Sequence, residues 1–167
     1  MKCFLKDFPD VKDRVDQLEF QDRKKQLTLN GIPQKSGENL LHAMKVMSEK
    51  LKCELQPYHD IDSIFRVKTS DKVIIKFIHA HKRDKFFGSF RKNPLNATDL
   101  GFKDNSKLYI NEVLSKPQAA LFHETRMFKK EHKYRFAWTS NQRIFLRKDS
   151  DSNAIQINST DDLNDLA

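Results

Sequence analysis

Hydrophobic and polar positions change period several times along this chain, and each change marks an element. Phe4, Phe8, Val11, Val15 and Leu18 are spaced 4, 3, 4, 3, a heptad stripe. Pro9 marks the first helical turn, where a proline is tolerated. The next two seam positions are Asp22 and Lys25, so the stripe stops after about two heptads, too short for an independent coiled coil. It is either the end of a longer coiled coil or a helix that docks on the neighbouring domain. QLTLNGIP (26–33) then alternates as a strand and ends at Gly31 and Pro33. SGENLLHAMKVMSEKLKC (36–53) switches to the helical period, with Leu40, Leu41, Met44, Met47 and Leu51 on one face and Ser36 or Asn39 as cap. Met44 and Met47 read as core filling, and Cys53 falls on the apolar face.

The alternation returns in IDSIFRVK (61–68) and KVIIKFIHA (72–80), joined by a turn at Thr69, Ser70 and Asp71. In the second of these, Val73, Ile75 and Phe77 share one face and Ile74 and Lys76 the other. HKRDKFFGSFRKN (81–93) reads as a helix whose Lys82, Arg83 and Lys85 coat its outer side. A loop (94–105) and a strand, SKLYINEVL (106–114), come after it. The order over residues 26–114 is β-α-β-β-α-β, the ferredoxin-like arrangement used by RNA-recognition-motif (RRM) domains. After Pro117 come a helix (118–132), strands at 134–139, 142–148 and 154–158, and a last short helix capped by Thr160. The expected class is α+β: a short N-terminal helix (1–25), an RRM-like domain (26–114) and a small α+β C-terminal domain (115–167).

Charge sharpens this outline. The net charge is +8. Residues 150–167 hold Asp151, Asp161, Asp162 and Asp165 and no Lys or Arg, so that segment carries −4 and residues 1–149 carry +12. A basic body suits a polyanionic partner, either nucleic acid or an anionic membrane surface. The stretch RMFKKEHKYRFAWTSNQRIFLRKD (126–149) interleaves Phe128, Tyr134, Phe136, Trp138 and Phe145 with cations. Cations attract phosphates and ring faces stack on bases, so it reads as a surface for single-stranded nucleic acid. The plainer reading is a hairpin with its rings in a core and its cations solvated. No apolar run reaches the ~20 residues of a membrane span. Acids come too early in MKCFLKDFPD for a secretory signal, so an intracellular protein of nucleus or cytoplasm is expected. Cys3 and Cys53 form no spacing motif, and His79 and His81 lack further ligands, so neither metal nor cofactor is expected.

Several blocks carry a family resemblance: RVDQLEFQDRKKQLTLNGIP, IFRVK, INEVLSK, and FKKEHKYRFAWTSNQRIFLRKD with IQINSTDDL after it. Through them residues 14–165 resemble the C-terminal region of baculovirus few-polyhedra (FP) proteins, and equally the first open-reading-frame proteins of LINE-type retrotransposons. The resemblance implies an RRM-like domain followed by a small C-terminal domain. It implies nucleic-acid binding and, in the retrotransposon branch, a chaperone role on single strands in trimers joined by a coiled coil. The chain departs from the pattern in its short heptad stripe and in lacking the zinc-finger module that often precedes this region in insect elements.

The expected function is therefore a non-enzymatic, sequence-tolerant protein for single-stranded RNA or DNA, with a homo-oligomer through the N-terminal helix as a further expectation. Candidate contacts are Arg23, Lys24 and Lys25 before the first strand and Arg66 in the second. In the C-terminal domain they are Lys129, Lys130, Lys133, Arg135, Arg143, Arg147 and Lys148. Arg66 has a competing fate, an ion pair with Asp62 or Glu112. The central strands offer Thr28, Asn30, Ile74 and Lys76 on the face away from the core and no stacking pair. Tyr109 is either one exposed ring on that face or a rim residue packed on a neighbouring strand. A small domain needs large rings inside, so Trp138 is assigned to the core. The wet face of its strand would then be the Arg135 side, joined by Arg143 and Arg147 in a cationic cleft between the domains. No phosphate loop, nucleophile motif or paired metal ligands argue for catalysis. The rival is a viral or virus-derived structural or trafficking adaptor binding acidic proteins or membranes.

Overall fold

The computed structural model describes residues 9–167. Phe4 and Phe8 of the heptad stripe, and Cys3, lie outside the described residues. The chain is mixed α+β with two antiparallel sheets, and it divides into two compact units between Asn111 and Glu112. No described helix is long and apolar enough to cross a membrane.

The first unit opens with α1 (Pro9–Arg23), which begins at its proline and buries none of its residues. Strands β1 (Gln26–Asn30), β2 (Ile61–Arg66), β3 (Val73–Phe77) and β4 (Tyr109–Glu112) form a sheet in the order β2-β3-β1-β4. Between β1 and β2 lie α2 (Leu40–Lys50) and the short α3 (Pro57–Asp60); α4 (Ala80–Lys92) joins β3 to β4. Asn39 caps α2 by accepting a hydrogen bond from the His42 amide. One sheet face supplies Leu27, Leu29, Val73, Ile75, Phe77 and Ile110 to a core completed by Met44 and Met47 of α2 and Phe86, Phe87 and Phe90 of α4. Register places Leu27 beside Ile75 and Leu29 beside Val73, the alternation that the sequence displays.

Three local expectations are corrected. α2 ends at Lys50, so Cys53 sits beyond the helix, half-buried against the core. The stretch expected as bare loop contains a 3₁₀ turn (Ala97–Leu100) closed by an Asn96–Asp99 capping box. Arg83 does not coat the helix surface: it is buried, bonds to the Asp84 carboxylate and the Gln26 carbonyl, and lies over the Phe87 ring. At Gly31 the backbone approach is so close that a Cβ would collide with the Lys107 carbonyl oxygen, and φ is +98°. Only glycine fits there.

The second unit packs α5 (Lys116–Glu131) and α6 (Thr160–Leu166) on one face of a three-stranded sheet, β5 (Phe136–Ser140), β6 (Arg143–Arg147) and β7 (Ile155–Ile157), in that order. A capping box between Ser115 and Gln118 starts α5, with Pro117 in the first turn. Ser159, one residue before the expected Thr160, caps α6 in a box with Asp162. The core is Phe128, Ile144, Leu146, Ile157 and Leu163, backed by Leu121, Phe122, Ala137 and Ile155.

Candidate nucleic-acid interface

The hairpin β5–β6 turns on two residues, Asn141 (φ 49°) and Gln142 (φ 61°). Positive φ at both positions is the geometry of a type I′ turn. Gln142 takes it without being glycine, and its backbone is held on both sides. Its amide donates to the Glu112 carboxylate (3.2 Å), and its carbonyl accepts from the Gln118 side chain (2.9 Å).

That turn decides which residues face solvent. It sets Ser140 opposite Arg143, so Trp138 faces Phe145 and Phe136 faces Arg147. A two-residue turn pairs even positions of β5 with odd positions of β6. Arg143 and Arg147 therefore share a face with Phe136 and Trp138, not with Ala137. The inner face is committed to Ala137, Thr139, Ile144 and Leu146. The expectation of a buried Trp138 with a wet Arg135–Ala137 face is thus overturned. On β5 and β6 small and branched residues point inward and the rings of Phe136, Trp138 and Phe145 point outward, while the ring of the core comes from Phe128 of α5.

The outer face is an aromatic and basic platform. Trp138 and Phe145 stack across the strands, with ring centres 5.5 Å apart and planes 19° apart. Both are half-buried, partly by one another. Phe136 is 37% exposed, and two guanidinium groups, those of Arg135 and Arg147, each lie 5.3 Å from its ring centre. Arg135 precedes the strand, yet its side chain reaches this outer face. Arg147 is fixed by donating from Nε to the Asp149 carbonyl (2.7 Å) and from Nη2 to the Ser150 carbonyl (2.5 Å). Gln156 of β7 continues the Trp138–Phe145 row. Arg143 and Arg147 bracket Phe145 along β6, four residues or roughly 13 Å apart.

The remaining cations of this unit lie elsewhere on it. Lys129 and Lys130 close the last turn of α5, where positive charge suits the negative end of the helix. Lys133 (φ 56°) reverses the chain towards β5, and Lys148 is exposed just after β6. Among the described residues, none of the nine Lys and Arg side chains from Glu112 to Ala167 has a carboxylate partner within 4 Å.

The candidates of the first unit are differently placed. Arg66 is clamped by Glu38, with Nε to Oε1 at 2.8 Å and Nη2 to Oε2 at 2.7 Å, and its Nη1 reaches the Ile32 and Asp71 carbonyls. Its partner is neither Asp62 nor Glu112, and little of the guanidinium is left for a ligand. Arg23 pairs with Glu19 at 3.4 Å, Lys24 lies over the Phe20 ring at 5.0 Å, and Lys25 is exposed. Tyr109 is 57% exposed on the sheet face away from the core, which resolves it as a surface ring. Phe65, 46% exposed and paired with Ile74, is a second ring on that face, at the opposite edge of the sheet. The strand's alternation contained that signal, because Phe65 lies between core-facing Ile64 and clamped Arg66.

Features that suggest other chemistry are weak. Burial pushes the Cys53 thiol up, the wrong direction for a reactive thiolate. It lines a groove of about 380 Å³ with Ser48, Leu55 and Tyr58. His79 and His81 stack on each other, and among the described residues no group of three or more His, Cys, Asp or Glu is placed to hold a metal ion.

Residues 115–167 match the family described as Baculovirus FP protein domain 2, so the match covers the second unit. No curated protein matches the chain.

Proposed function

We propose that this protein binds single-stranded RNA or DNA without strong sequence preference, and that the outer face of β5–β6 is its principal contact surface. The observation that carries the reading is the pairing of unneutralised cations with outward rings: Arg135, Arg143 and Arg147 surround Phe136, Trp138 and Phe145, with no described carboxylate within 4 Å of any of the three arginines. Guanidinium groups neutralise phosphates, and outward rings accept unpaired bases, which a duplex does not offer. The stacked Trp138–Phe145 pair tolerates any base because every base has a π-face.

The first unit supports the same reading more weakly. Its β-α-β-β-α-β order and β2-β3-β1-β4 strand order favour a ferredoxin-like, RRM-like assignment. Tyr109 and Phe65 give its open face rings at the edges only, and Thr28 and Ile74 occupy the centre. Such a face adds contact without base reading. The resemblance to LINE-type first open-reading-frame proteins points the same way. No step here calls for a catalytic group, and the reading is of a binding protein.

Fluorescence anisotropy with labelled single-stranded RNA, single-stranded DNA and duplex, across a salt series, tests this. Tight single-strand binding that falls linearly with log salt is expected. Equal affinity for single strands, duplex and anionic vesicles would overturn it in favour of the adaptor reading.

Self-association through α1 belongs to the same proposal. Val11, Val15 and Leu18 are exposed on a helix with no buried residue, and Leu18 is 70% exposed. Arg14 and Glu19 flank this seam five positions apart, the spacing of opposite charges that face each other between parallel copies. Sedimentation equilibrium should show an oligomer that Leu18→Asp dissociates; a monomer at all concentrations would remove this element.

A further inference from the structure

Arg147 is held by the loop that comes after its own strand, and one hydroxyl of that loop is unused among the described residues. Asp149 turns its carboxylate back to the loop: Oδ1 accepts from the Asp151 amide (3.0 Å), the Ser152 amide (2.8 Å) and the Ser152 hydroxyl (2.6 Å). Ser152 is thereby occupied, and Asp149 leaves the guanidinium without a counter-charge. Ser150 is exposed, its carbonyl holds Arg147 Nη2, and its hydroxyl makes no hydrogen bond to any described residue. Among the hydroxyls near the platform its setting is distinctive. Ser140 is half-buried in the sheet, and Ser159 is committed to its capping box.

We propose that Ser150 is a phosphorylation site that switches the β5–β6 platform off; the switch rests on the nucleic-acid reading above. A serine kinase would transfer the γ-phosphoryl group of a nucleoside triphosphate. The Ser150 Oγ–P bond forms, the bond from phosphorus to the β,γ-bridging oxygen breaks, the nucleoside diphosphate leaves, and the hydroxyl proton passes to a base of the kinase. The new group carries a charge of about −1.5 to −2 and three acceptor oxygens. It is joined through Cβ and Cα to the carbonyl that Arg147 already touches, with exposed Lys148 two residues away. An intramolecular phosphate at that position competes directly with the phosphate of a bound strand. Phosphate on Ser152 would instead break the Asp149 turn and stand off from the guanidinium.

The test uses the full chain with phosphoserine installed at position 150 during translation, beside the unmodified chain, Ser150→Ala, and the phosphoserine chain carrying Arg147→Ala. The probes are a labelled single-stranded RNA and ³¹P NMR titration of the phosphoserine. Expected are a loss of RNA affinity of about fivefold or more at low salt, a salt slope smaller by roughly 0.7, and no change for Ser150→Ala. The second phosphate ionisation should lie lower with Arg147 present than with Arg147→Ala. An ionisation that ignores Arg147 overturns the contact whatever the RNA result. A lowered ionisation with unchanged RNA affinity overturns the switch and leaves the platform standing. Failure of the unmodified chain to bind RNA overturns the platform and the switch together, and is recognised in the unmodified chain alone.

Discussion

The two units handle the same residue types in opposite ways. In the first, Phe77, Phe86, Phe87 and Phe90 are buried beneath the sheet, and Arg23, Arg66, Lys76, Lys82, Arg83 and Lys85 each have a carboxylate within 4 Å. In the second, Phe136, Trp138 and Phe145 stand on the outer face, and no cation is paired with a described carboxylate. Size accounts for the rings. Four strands and two long helices enclose room for several phenylalanines, whereas three short strands under α5 and α6 are filled by Ile144, Leu146, Ile157 and Leu163 around Phe128. Pairing accounts for the charge. A cation already opposite a carboxylate gains little from a phosphate, while an unpaired one gains a full contact and releases a counterion. Net charge therefore says less about where a polyanion binds than the number of cations the fold leaves unmatched.

The contrast breaks most sharply if the arginines of the second unit are removed. Arg135→Ala with Arg143→Ala and Arg147→Ala should weaken single-strand binding by about 100-fold at low salt and lower the salt slope by roughly 2, uniformly across sequences. All three side chains are at the surface, so the fold should persist. An unchanged slope would assign the phosphates to other cations. The rings come next: Trp138→Ala removes one stacking surface worth about 1–3 kcal/mol, roughly tenfold in affinity, and should leave the salt slope alone. A fall in slope with Trp138→Ala would mean that the ring only holds the arginines in place. The matching change in the first unit, Arg66→Ala, should leave RNA affinity unchanged and cost about 1–3 kcal/mol of stability by urea denaturation, because it strips Glu38 and two carbonyls of their donor.

Periodicity exposed the elements of both units, since 2-residue and 3.6-residue patterns arise from which face is buried. It could not decide which face of β5 is buried. Phe136 and Trp138 alternate with Ala137 and Thr139, and hydrophobicity alone sends the larger pair inward. The deciding feature is the turn at Asn141–Gln142, which lacks the glycine that usually advertises a type I′ hairpin. Once the turn is known to hold two residues, parity puts Arg143 and Arg147 beside the rings. The partner of Arg66 was hidden for another reason. Glu38 lies 28 positions earlier in the chain, in the segment before α2, and no local pattern links the two. Phe65, by contrast, was readable from alternation.

The smallest expected effect separates the carboxylates of the two units by pH. The hydrogen bond from Arg66, opposed in part by burial, holds the Glu38 carboxyl below its ordinary range. The Ser152 hydroxyl does the same for Asp149, which is fully exposed. A carboxyl whose folded value is depressed contributes stability that is complete above its unfolded value and is lost as pH falls through the folded one. Glu38→Gln should therefore cost about 1 kcal/mol near neutrality. The gap between wild type and variant should close on acidification, vanishing below the folded value of Glu38. Asp149→Asn should leave that gap where it is, because Asp149 belongs to the unit that Glu38 does not serve. Urea midpoints measured from about pH 3 to 7 on the two single variants and the double variant would check this, since independent sites add. A Glu38→Gln gap that stays constant across the series would mean that shape rather than charge ties Glu38 to Arg66. Arg66 would then drop out of the cations that the first unit neutralises by charge, leaving the contrast to its five other pairs.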